Sequence, residues 1–189
     1  MKNMFLALVG AALLSTGACR QVDKELVGKL EGEITQIDQK IPELDGHVQR
    51  SSELVKKMES APTGLKFNPN YNFSQLYETA KAINLKYSTI MSMHRQAKES
   101  LDSLIRSYSN GDVKKEDVAA EFANITASIE ALDKTPAVMQ PVFDELQVNY
   151  EKLSATYLAL PEEQRNQIEK ELMSTQAPGA SAAPPTKDH

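Results

Sequence analysis

Apolar or small residues recur with alternating spacings of three and four over nearly the whole chain, and this period limits what the sequence can become. The first run is Leu30, Ile34, Ile37, Ile41, Leu44, Val48, Ser51, Val55 and Met58, preceded less regularly by Val22 and Leu26. A second runs Phe73, Leu76, Ala80, Ile83, Tyr87, Ile90, His94, Ala97, Leu101, Leu104 and Tyr108. A third runs Val118, Phe122, Ile125, Ile129, Leu132, Pro136, Met139, Phe143, Leu146, Tyr150, Leu153, Tyr157 and Leu160. A repeat of about 3.5 residues puts each run on one face of an α-helix and suits coiled-coil-like packing. A strand would need a period of two, so sheet architectures are excluded for these segments.

The seams predict an all-α fold, an elongated antiparallel three-helix bundle of rods about 60 to 70 Å long at 1.5 Å per residue. Pro42 interrupts the first seam, and Pro136 and Pro141 interrupt the third, without shifting its phase. A chain reversal has no reason to preserve phase, so one long third helix kinked near Pro136 and Pro141 is expected, with a four-helix arrangement broken at Pro136 as the alternative. Asn72 is placed to cap the second helix and Asn110-Gly111 to end it. Val113 and Val118 are placed to staple the start of the third. Pro161-Glu162-Glu163 opens a short C-terminal helix to about Ser174.

Ahead of the seams, Lys2 gives a positive start and Met4 to Leu14 an uncharged apolar stretch, too short to span a bilayer, which needs about 20 residues. Ser15, Thr16, Gly17 and Ala18 then lead to Cys19, the single cysteine. Thr16-Gly17-Ala18-Cys19 resembles the lipobox of bacterial lipoprotein precursors, in which the cysteine is acylated and becomes the mature N-terminus. The resemblance implies a signal peptide at 1–18, lipidation at Cys19 and membrane attachment through that lipid. It covers only this segment, and Thr16 stands where Leu is usual. Thr16 and Ala18 also suit ordinary signal peptidase, which leaves a secreted protein with a free thiol as the alternative. Arg20 stands where the family places an inner-membrane retention aspartate, so the resemblance implies an outer-membrane lipoprotein, on the periplasmic face or the cell surface.

The domain expected at 19–175 is a helical bundle, followed at 176–189 by a disordered Ala- and Pro-rich tail. The formal net charge of −5 argues against nucleic acid as partner. The sequence has no HExxH, GxSxG, phosphate-binding glycine loop or paired cysteines, so no enzyme and no cofactor is expected. His94 lies on an apolar seam beside Met91 and Met93, but those two methionines point about 200° apart on a helix and do not close on one metal. We expect His94 in the core as a pH-sensitive point whose protonation charges a mostly apolar layer. Tyr87, Tyr108, Tyr150 and Tyr157 are expected in the core or at its edge with hydroxyls reaching water.

The loop between the first two helices carries Leu65, Phe67 and Tyr71, which either close the bundle end or form a contact surface for a protein partner. The function expected is a lipid-anchored scaffold, spacer or interaction module. The alternatives are a small-ligand or cofactor binder near His94 and a surface-exposed adhesin-type lipoprotein. Oligomeric state is open.

Overall fold

The computed structural model describes residues 22–176, so the signal peptide expected at 1–18, Cys19 and the tail beyond Gln176 lie outside the described residues. Within them the chain forms α1 (Lys24–Glu59), a one-turn α2 (Thr63–Lys66), α3 (Phe73–Asn110), α4 (Lys115–Leu158) and α5 (Glu162–Gln176). The long helices have 36, 38 and 44 residues, so they measure about 54, 57 and 66 Å. The fold is the all-α bundle the seams predict.

Side-chain pairs fix the topology. Asp38 meets Lys98, Ser51 meets Asn84 and Glu59 meets Tyr77, so α3 runs antiparallel to α1. Lys40 bonds Asp133 and the Tyr150 hydroxyl donates to the Lys57 carbonyl, both 93 positions apart, so α4 lies parallel to α1. Every buried residue of α3 and α4 falls on its seam. On α1, His47 and Leu54 are buried although they stand off the seam. Being flanked by both α3 and α4, α1 needs a wider apolar stripe than a two-helix seam provides.

The helix ends follow local chemistry. Asp23 caps α1, its carboxylate accepting from the amides of Glu25 at 2.9 Å and Leu26 at 3.2 Å. Gly111 sits in the left-handed region at φ 81°, and the amide of Asp112 returns to the Ser107 carbonyl, a Schellman ending for α3. The expected cap at Asn72 is corrected. Its ψ of 38° lies outside the extended region from which a cap side chain folds back, and it makes no side-chain cap bond.

All three prolines stand inside uninterrupted helices, which removes the four-helix alternative. The carbonyls left without an amide by Pro42 and Pro141 are those of Asp38 and Ala137, both on exposed residues.

Asp23 also ties the helices together at this end. Its carboxylate meets Lys115 of α4 at 2.5 Å, and its amide donates to the Tyr108 hydroxyl of α3. The Lys115 ammonium, and then the Leu26 amide, hold the Asp23 carboxyl below its ordinary value of 3.8. A lowered carboxyl stabilises the fold above its unfolded value, and that contribution is lost as pH falls through the folded one. Asp23→Asn is therefore expected to lower the melting temperature near pH 7, with the gap to the parent closing by about pH 2. A gap that persists in acid would show that the charge is not what Asp23 contributes.

Candidate functional site

The core is two clusters, not one. The half nearer Asp23 is built on Leu30, Ile37, Leu101 and Ile129, and the far half on Leu44, Met58, Ile90, Phe143 and Tyr157. Between them lies a polar layer made of His94 from α3, Asp133 from α4 and Lys40 from α1. His94 is 0% exposed. Its Nδ1 donates to the Ile90 carbonyl at 2.9 Å, and its Nε2 stands 3.0 Å from Asp133 Oδ1, while Lys40 Nζ donates to Oδ2 of the same carboxylate. Both ring nitrogens thus face acceptors. A charged ring fills that arrangement with two donated bonds, a neutral ring with one.

The layer around His94 is therefore not the apolar one expected, because it already holds a counter-charge. Counting across the α3–α4 connection puts Ile129 opposite His94, but the packed register brings Asp133, one turn further on, to the ring. Neither Asp133 nor Lys40 is singled out by the sequence, since Lys40 directly precedes and Asp133 directly follows an apolar seam position, and each reads as a solvated face. The usable signal was a histidine on a seam, which needs a partner once buried.

One turn and more along, His47 stacks on Tyr87 with centroids 4.8 Å apart, and Arg50 reaches His47 Nδ1 at 3.0 Å. Of the four seam tyrosines, Tyr108, Tyr150 and Tyr157 bond to protein groups and not to water alone, while the Tyr87 hydroxyl is buried without a partner. Burial pushes the Tyr87, Tyr150 and Tyr157 phenols up, with the Glu169 carboxylate adding to the rise at Tyr157.

The far end is a built cap. Leu65, expected either to close the bundle end or to contact a partner, is 0% exposed because α2 folds it inward, so it closes the end and the contact reading is corrected for this residue. Tyr71 is half-buried and meets Tyr157 edge-on at 6.4 Å. Gly64 packs so closely on Tyr157 that a Cβ there would overlap the hydroxyl, which explains a glycine inside α2. Tyr157 then donates to Glu169 of α5 at 3.2 Å, and Ile168 of α5 packs on the core. Phe67 alone of the three loop residues projects, at 51% exposed. Cys19 lies outside the described residues.

Among the described residues no helix is long and apolar enough to cross a membrane, and no group of three His, Cys, Asp or Glu side chains is placed to hold a metal ion. Comparison with protein-family models, with curated proteins and with solved structures returns no match for this chain.

Proposed function

We propose that the chain is a non-enzymatic, lipid-anchored bacterial envelope protein whose rod acts as a spacer and presents its far cap to a protein partner. One observation carries this reading. Asp23, the cap of α1, follows Cys19 by four residues, a reach of at most about 14 Å, whereas Phe67 lies beyond the other end of a helix about 54 Å long. A lipid on Cys19 therefore holds one end of the rod near the bilayer, and the exposed Phe67 ring stands at the other. The closed core along the shaft suits a strut, and Arg20 after the cysteine suits the outer membrane. Attachment to the membrane is through the lipid, and no nucleic acid is involved.

A photo-crosslinking residue at position 67 in intact cells is expected to capture a defined protein, while the same residue at Glu121, near the anchor end, is not. Phe67→Ser should weaken that capture and leave melting unchanged, since the ring is half exposed. Equal capture from both positions would count against display at the cap.

A further inference from the structure

The outward side of α4 carries a second, unpartnered seam. Among the described residues, the exposed large apolar side chains of the three long helices are Leu85 and Met93 on α3 and Val138, Val142, Val148 and Leu158 on α4, with none on α1. The valines of α4 belong to a repeat. Ala131, Lys134, Val138, Pro141, Glu145 and Val148 follow one another at alternating spacings of three and four, and all are exposed. At about 100° per residue, this line runs about 160° round the helix from the buried seam. A helix with apolar positions on two opposite faces has a second surface to cover.

Charge identifies what covers it. Lys134 and Glu145 are the charged members of that line, and neither side chain has an ion-pair or hydrogen-bond partner among the described residues. Eleven positions apart, about 17 Å along the axis, they cannot pair with each other. Two copies of α4 laid antiparallel, with Val138 opposite Pro141 of the second copy, bring each Lys134 to a Glu145 and each Ala131 to a Val148. The seam maps onto itself in that register, as an isologous contact requires. A parallel pair would set lysine on lysine and glutamate on glutamate, and that like-charge cost selects the antiparallel order. Glu130, Asp133 and Glu151 line the α1 side of the helix and stay out of the contact.

We propose that the outward face of α4 is an interface with a second copy of this chain, paired antiparallel about a two-fold axis between positions 139 and 140. The overlap covers residues 121–158, about 57 Å, and a strip about 10 Å wide on each copy buries about 1,100 Å² in all. A specific interface needs about 1,000 Å², so the area supports a reversible dimer in the micromolar range. The alanine lets the helices approach closely, the valines fill the centre, and two Lys134 to Glu145 pairs fix direction and register. The near ends of the two copies lie at opposite ends of the pair, so copies held by a lipid would meet across facing membrane surfaces. The interface itself requires no anchor.

Sedimentation equilibrium of the mature chain carrying Cys19→Ser, which leaves no lipid to drive association, tests it from about 1 to 200 µM. A monomer–dimer equilibrium with a Kd of about 1 to 50 µM is expected. Lys134→Glu places two like-charged pairs in the contact and should raise Kd at least about tenfold, and Glu145→Lys should do the same. Lys134→Glu/Glu145→Lys restores opposite charges and should return Kd to within about threefold of the parent. In dilute solution all three variants should melt as the parent does, since both positions are exposed. A chain that stays monomeric across the range would overturn the proposal. So would a Kd unmoved by the single reversals, or a double reversal that binds no tighter than either single one.

Discussion

Replacing Asp133 with alanine is expected to destabilise the chain by about 2 to 3 kcal/mol, well above the cost of removing an ordinary surface carboxylate. Breaking a fully buried charge pair costs about 3 to 5 kcal/mol, and that figure is reduced here because Asp133 and Lys40 keep 26% and 41% of their side-chain surface exposed. The loss arises mainly at His94, which has no such exposure and would keep a polar ring nitrogen with no acceptor. The same reasoning predicts non-additivity. In His94→Leu/Asp133→Leu the polar demand disappears from both helices at once, so the double variant should be more stable than the sum of its single changes by about 1 to 2 kcal/mol. Urea unfolding reads this as a shift in midpoint at constant slope. A cost below about 0.5 kcal/mol for Asp133→Ala, or strict additivity, would show that the layer is solvated and uncoupled.

The larger effect is expected at Tyr157. Its ring is 1% exposed and touches the cap from every side: Tyr71 edge-on, Gly64 beneath the hydroxyl, Glu169 at its tip. Truncation to alanine removes an aromatic core side chain and should cost about 3 to 5 kcal/mol. Tyr157→Phe keeps the ring and loses one hydrogen bond, so it should cost about 0.5 to 1.5 kcal/mol. Hydrogen exchange adds a spatial signature. With Tyr157→Ala, amides of α2 and α5 should exchange faster than those of the half-core around Leu30 and Leu101, because that half-core lies beyond the polar layer. Uniform acceleration along the rod would mean that the cap is no separate unit.

How much of this was legible in the sequence depends on which force sets each feature. Burial on α3 and α4 follows the three-four repeat, because each presents one apolar face to the bundle, and the phase kept through Pro136 and Pro141 identified one continuous helix. Gly111 was legible for a local reason, since left-handed backbone favours glycine. The misses are tertiary. His47 and Leu54 are buried by the position of α1 between two neighbours, which no single-helix pattern encodes. Asp133 became the partner of His94 through a one-turn difference in the α3–α4 register, smaller than a count across a turn resolves. One turn of helix leaves almost no periodicity, so the sequence marks Leu65 only as loop, and its burial comes from the far core cluster it joins. Asp23 carries a local signal as well, since an aspartate directly before a helical run is a recognised start.

The polar layer and the cap give the rod its register and its far end, but the proposed role depends on what holds its near end. The most direct measurement is the intact mass and N-terminal peptide of the mature protein purified from membranes. The account predicts a chain that begins at Cys19 and carries acyl chains there. A mature chain that begins elsewhere, or Cys19 with a free thiol, would contradict it and leave a rod with no anchor.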